Sequence, residues 1–144
     1  MKKTLLHQTT KLFFVLVLSL SVFLAADSFG QNQKISDMTN NKFALQNIEI
    51  GIQSTNLGVR GSAIYFAGQN RFIETEDALI KQLKVEKEDN IRVLISMALF
   101  RMNSEKGMNE LKELASAEKN PRVRRMAYAI YKEYLVNKSN NTLQ

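Results

Sequence analysis

The sequence predicts an all-α fold, a short stack of antiparallel helix pairs, on three observations. Across residues 42–136 apolar side chains recur every three or four positions, the period of a helix, and strand-like alternation is hardly seen. The only proline of the chain is Pro121. A sequence pattern returns at a constant step, the same from Arg60 to Arg92 as from Arg92 to Arg124. A single helix pair cannot cover its own apolar side, so such units must stack on one another.

The N-terminal stretch, residues 1–30, stands apart from this pattern. Lys2, Lys3 and Lys11 precede an apolar run over residues 12–26 that only Ser19 and Ser21 interrupt. That is the order of a secretory signal peptide, and the run is shorter than the ~20 apolar residues of a membrane span. Ser28 and Gly30 supply small residues for cleavage between Gly30 and Gln31; cleavage after Ala26 is the alternative. The absence of cysteine excludes a lipid-modified N-terminal Cys and any disulfide. The expected product is exported, periplasmic or secreted, with no integral membrane segment after cleavage.

Excision changes the chemistry as well as the address. It leaves 114 of the 144 residues, lowers Lys+Arg from 20 to 17 and Asp+Glu from 14 to 13, and so lowers the net charge from +6 to +4. A mild excess spread along the chain is a poor match for nucleic acid, which is not expected as a partner. The only histidine is His7, inside the excised segment, and the chain has no Trp. With His and Cys gone, the commonest general acid/base, the thiol nucleophile and the usual zinc ligands are missing. No catalytic residue, metal site or cofactor is expected, although carboxylates, Lys and Tyr remain.

In chain order, residues 31–41 are polar and turn-rich and are expected to be flexible. A first helix over residues 43–54 carries Phe43, Ala44, Asn47, Ile48 and Ile52 on one side. Three aligned corners follow: Asn56-Leu57-Gly58-Val59-Arg60, Glu88-Asp89-Asn90-Ile91-Arg92 and Asn120-Pro121-Arg122-Val123-Arg124. After each Arg, apolar residues at +3, +6 and +7 lay one stripe on a helix: Ala63, Phe66, Ala67; then Ile95, Ala98, Leu99; then Ala127, Ile130, Tyr131. Asn56 and Asn120 suit the N-cap and Pro121 the next position, and at the middle corner Asp89 or Asn90 could cap instead of Glu88.

A second helix completes each unit. Glu76-Asp77-Ala78-Leu79-Ile80-Lys81-Gln82-Leu83 matches Gly107-Met108-Asn109-Glu110-Leu111-Lys112-Glu113-Leu114 at a step one shorter than that of the corners, as though one residue had moved between loops. Residues 59–83 and 91–114 are then two full pairs, residues 43–54 a leading half-repeat and residues 123–135 a trailing one. The helical domain is placed at residues 42–136, followed by a polar tail at 137–144 expected to be disordered.

Val59-Arg60-x-x-Ala63, Val123-Arg124-x-x-Ala127 and Ile91-Arg92-x-x-Ile95-x-x-Ala98-Leu99 resemble HEAT-type repeats of the short bacterial kind also seen in phycobilisome lyase-like proteins. Their units run roughly Asp-x-x-Val-Arg-x-x-Ala-x-x-Ala-Leu-Gly. The resemblance covers about residues 56–135. It departs at the corner Asp, which is Asn or Glu here, and at the helix-ending Gly, kept only as Gly68. It implies a right-handed α-solenoid with the second helices on a concave side that in such families often binds other proteins.

The regular charged feature is the ladder Arg60, Arg92, Arg124, with Asn56 and Asn120 at the corners. A residue that repeats with the fold is read as part of it, here as a bond between repeats to a corner side chain or carbonyl. Lys81, Lys112 and Glu113 on the second helices, with Arg122 and Arg125 in the basic cluster of the last corner, are the candidate partner-binding residues. Glu74, Glu76 and Asp77 lack a third convincing ligand or neighbouring base for a metal or catalytic role. Tyr65, Phe100 and Tyr128 fall beside the main stripe. The expected function is a non-enzymatic adaptor or scaffold for another envelope or secreted protein. The alternatives are a structural or regulatory subunit that self-associates through its solenoid ends, a homo-oligomer, and more weakly an anionic-polymer or membrane-surface binder.

Overall fold

The computed structural model describes residues 32–141. The predicted cleavage point at Gly30 and Gln31 lies outside the described residues. Within them the chain is all-helical: α1 (Ile35–Met38), α2 (Ala44–Ile52), α3 (Leu57–Gln69), α4 (Glu76–Val85), α5 (Asp89–Arg101), α6 (Glu105–Ala117) and α7 (Pro121–Asn141), with a 3-10 turn at Ile73–Thr75 ahead of α4. Helices α3, α5 and α7 form one row in which each packs on the next, and α2, α4 and α6 form a second. The rows meet where α2 packs on α3, α4 on α5 and α6 on α7. Among the described residues no helix is long and apolar enough to cross a membrane.

The core runs without a break between the rows. Ile64 and Ala67 of α3, Ile91, Ile95, Ala98 and Leu99 of α5, Leu79 of α4, Met108 and Leu111 of α6, and Ile130 and Tyr134 of α7 belong to one buried cluster. Most of the predicted stripe is in it. Phe66 is the exception, 44% exposed where its counterparts Ala98 and Ile130 are buried. The reason is position. Ile91 and Ala98 lie against Gly61 and Gly68 of the preceding helix of the row, whereas α3 is the first of that row among the described residues.

The corners form largely as their sequences require. The Asn56 side chain accepts from the Val59 amide at 3.1 Å, and Asn120 Oδ1 accepts from Arg122 N at 2.9 Å. At the middle corner Glu88 holds the N-cap position, without a side-chain cap bond. Neither Asp89 nor Asn90 caps α5: Asp89 accepts from Asn120 Nδ2 and Asn90 from Arg122 Nη1 at 2.7 Å. Both side chains reach forward to the next corner. The amides of Lys87 and Glu88 just before α5 are taken by the Glu86 carboxylate.

Gly68 is not a helix-ending glycine. It lies within α3, buried, and no glycine of the described residues has positive φ. A Cβ there would fall 2.6 Å from Ala98 Cβ and 2.7 Å from Ala98 Cα, so Gly68 is the point of closest approach between α3 and α5. The left-handed positions are Arg71 (φ 54°) and Asn103 (φ 52°), which are separated by the same step as Arg60 and Arg92. Each closes a Schellman motif: Phe72 N donates to Ala67 O and Arg71 N to Gly68 O, as Ser104 N does to Leu99 O and Asn103 N to Phe100 O.

The second helices also keep the full step of the corners rather than the expected step one shorter. Buried Leu79 corresponds to buried Leu111, and the helix-end bond from Glu86 N to Gln82 O corresponds to that from Glu118 N to Leu114 O. The apparent slip comes from aligning helix starts. The unit before α4 spends residues 73–75 on a 3-10 turn, where α6 already has helix from Glu105. Among the described residues, helix reaches into both of the polar segments. Ile35 of α1 is buried, and α7 runs through residues 137–141 of the expected tail.

Two glycine substitutions should separate these roles. Gly68→Ala is expected to destabilise the fold by about 2 kcal/mol, because Ala98 backbone cannot yield to the added methyl. At Gly61 the added Cβ would sit 3.4 Å from the flexible tip of Ile91. Gly61→Ala should therefore be neutral or gain roughly 0.5 kcal/mol from helix propensity. Urea unfolding followed by circular dichroism reads both; equal losses would remove the assignment of Gly68 as the contact point.

Candidate functional site

The ladder arginines are drawn into the fold by carboxylates that the sequence reading did not single out. Arg60 Nε donates to Glu86 Oε2 at 2.7 Å and Arg60 Nη2 to Glu86 Oε1 at 3.3 Å, a bidentate pair. Arg60 Nη1 also donates to the Ser54 carbonyl at 2.6 Å. Arg92 pairs with Glu118, and Arg124 Nη1 donates to the Glu118 carbonyl at 2.7 Å. Ser54, Glu86 and Glu118 follow one another at the same step as Arg60, Arg92 and Arg124. Arg60 therefore bonds both the corner before it and the corner after it, Arg92 the one after and Arg124 the one before. The equal steps from Glu86 to Glu118 and from Arg60 to Arg92 were the signal that could have found the two carboxylates.

The Arg60–Glu86 pair is nearly dry, with side chains 11% and 3% exposed. Burial alone would raise the Glu86 carboxyl, but donors from the Glu88 amide, Gln82 and Arg60 outweigh it and hold the group below the usual carboxylate range. Glu118 is held low chiefly by its bond from Arg92, then by the Asn120 amide. Arg92 Nε is buried and has no hydrogen-bond partner among the described residues, so the middle rung is less completely satisfied than the first.

The second helices carry a different kind of surface. Lys84 Nζ lies 2.8 Å from Glu110, and Lys106 Nζ lies 3.5 Å from Glu76 and 3.3 Å from Asp77. These pairs tie α4 to α6 across the outside of the row. The bonded Asp77 raises the Lys106 ammonium above its ordinary range. Lys81, Lys112 and Glu113 are exposed on the same two helices and take no part in the ion pairs found among the described residues.

The remaining candidates divide between structure and surface. Arg122 is bonded to Asn90 and Arg124 to the Glu118 carbonyl, so of the basic cluster only Arg125 stands out into solvent without a bonded partner among the described residues. Glu74 accepts from the Ile35 amide at 3.1 Å, fixing α1 to the 3-10 turn. Glu76 accepts from the Ser104 hydroxyl at 2.5 Å. Among the described residues no three His, Cys, Asp or Glu side chains converge as a metal site would need. Tyr65 and Tyr128 are exposed, Tyr65 with the Arg101 guanidinium 6.0 Å from its ring centroid, while Phe100 packs on the core.

Comparison with protein-family models, with curated proteins and with solved structures returns no match.

The ladder makes the fold acid-sensitive in a defined window. Glu86 and Glu118 have folded-state pKa values below their unfolded values, so their contribution is complete above the unfolded Glu value of about 4.3. It is lost as pH falls through the lower folded values. Glu86→Gln should lower stability at pH 7 by about 3 kcal/mol, because it leaves a buried guanidinium half-paired. It should also flatten the fall of Tm with acidification below about pH 5. A variant with the wild-type acid slope would show that other carboxylates set it.

Proposed function

We propose that this protein is an exported, non-enzymatic HEAT-like adaptor, a short right-handed α-solenoid that binds another envelope or secreted protein through its second helices. The signal-peptide pattern of residues 1–30 supports export. The two helix rows and the common step of corners, Schellman turns and buried leucines support the repeat architecture. The observation that carries the binding surface is the contrast on α4 and α6. Lys84, Glu110, Asp77 and Lys106 are spent on ion pairs between the two helices, while Lys81, Lys112 and Glu113 are left facing outward on a braced platform.

Charges so placed select a partner by complementarity and mainly set its rate of association. The ladder, in this reading, is scaffold: Arg60, Arg92 and Arg124 already have acceptors within the chain and are not an anion-binding row.

Two measurements test the proposal separately. Mass analysis of protein recovered from the periplasm or medium is expected to give an N-terminus at Gln31; a chain retained in the cell and starting at Met1 overturns export. Combined reversal of Lys81→Glu, Lys112→Glu and Glu113→Lys should reduce partner recovery by crosslinking in the native envelope roughly tenfold. Unchanged recovery of every partner would remove the second helices as the binding surface.

A further inference from the structure

The two ends of the helix rows are finished differently. The side of α3 that faces α5 carries Gly61 and Gly68; on α7, two repeat steps further on, the same positions are Arg125 and Lys132, both exposed. That end has the charged outer face that terminal repeats need for solubility. The other end does not. On the free side of α3, Val59 is 51% and Phe66 44% exposed. They border a shallow groove lined also by Ile48, Gly51, Gly58 and Ala63. Asn47, Asn56 and Ser62 complete it, and among the described residues no charged side chain takes part.

We propose that two copies of this chain pair isologously through this open side of α2 and α3, with α3 crossing its mate antiparallel about Ser62 and Ala63. The stripe is self-complementary in sequence. Val59 and Phe66 lie at equal distances on either side of the small pair Ser62-Ala63, so a two-fold axis there sets each Val59 opposite the mate's Phe66 and small residues against small residues at the crossing. Self-complementarity about a two-fold is what an isologous interface requires. The projecting ring is fixed in advance, since Phe66 stacks edge-on against buried Phe72 with centroids 5.6 Å apart. Gly51 and Gly58 line the groove beside it, Gly51 where Ala63 packs closely against α2.

Two further points choose a second copy over other occupants. A net-basic chain repels itself wherever charged faces meet, and this is a face without charge, offering an acidic partner nothing to recognise. Head-to-tail stacking is disfavoured because it would press Arg125 and Lys132 onto Val59 and Phe66. Size sets the strength. Helix α3 is about 20 Å long and two helices side by side are about 20 Å wide, a patch of roughly 400 Å². That is within the range of functional apolar patches but half of the ~800 Å² per partner of a standard stable interface. The pairing is therefore reversible, seen at micromolar concentration and above.

The test uses protein purified from cells expressing the full chain. Sedimentation should give a mass that rises with concentration toward twice the monomer, and Val59→Glu should stay monomeric with unchanged circular dichroism. Phe66 is left intact there because its ring also packs on Phe72. The chain has no cysteine, so Ser62→Cys should form a disulfide dimer under mild oxidation roughly tenfold faster than Val85→Cys, through its higher effective concentration at the axis. Val85 is also exposed but belongs to α4. A monomer at every concentration, or equal crosslinking of the two cysteine variants, overturns the proposal, whatever else then covers the face.

Discussion

A guanidinium taken out of water must find acceptors for its donors, and the place where this chain supplies them governs its geometry. Glu86 accepts from Arg60, from Gln82 at 2.8 Å and from the amides of Lys87 and Glu88 at 3.0 Å each. One carboxylate thereby joins the start of α3, the end of α4 and the chain just before α5. A planar fork bonded at both oxygens adds a directional constraint to the non-directional apolar packing. The second rung is a single bond from Arg92 Nη2 to the Glu118 carboxylate, while the Glu118 carbonyl receives Arg124. The apolar cluster supplies the burial, and the rungs add directional bonds between the corners.

Much of this was legible in the sequence, and the failures share a cause. The helices, the constant repeat step, the caps at Asn56 and Asn120 and the stripe through Ile95 and Leu99 follow from local rules, because the residues concerned act within one turn of the backbone. What escaped was whatever depends on a neighbour far along the chain. Glu86 and Glu118 read as ordinary solvated glutamates until Arg60 and Arg92, each most of a repeat earlier, are brought to them. Gly68 matched a helix-ending glycine by position, yet its lack of a side chain serves a contact with Ala98 on another helix. The left-handed turn residues are Arg71 and Asn103, and nothing in an arginine announces a positive φ. Phe66 fitted the core period and is half open because burial requires a preceding helix, which period alone does not supply.

The candidate binding surface was legible in a different sense. Lys81, Lys112 and Glu113 follow from the pattern as outward residues of second helices, and their neighbours Lys84, Glu110 and Lys106 form pairs between those helices. Exposed pairs of this kind add little to stability, about 0–1 kcal/mol each. Their effect is to hold long side chains in place, which lowers the ordering cost for anything that docks beside them. A basic cluster at a helix N-terminus works against the helix dipole. At α7 the conflict is relieved within the fold, Arg122 bonding Asn90 and Arg124 the Glu118 carbonyl.

The rungs are unequal along the chain, and that inequality has a structural consequence. Arg60 has both a carboxylate ahead and a carbonyl behind; Arg92 has the carboxylate but a buried Nε without a partner; Arg124 has the carbonyl alone among the described residues. Order imposed by the ladder therefore declines toward α7. Apolar contact compensates there, since Val123, Ala127, Ile130 and Tyr134 are all buried against the rows. At the opposite end the balance is reversed: Arg60 is the most fully bonded arginine, while Val59 beside it and Phe66 two turns on face outward. Among the described residues, the end with the firmest polar frame is thus the one with a half-exposed apolar side. A rigid frame beneath an exposed stripe meets the condition for docking without reorganisation, because the surface is already held in the shape it would present to a mate.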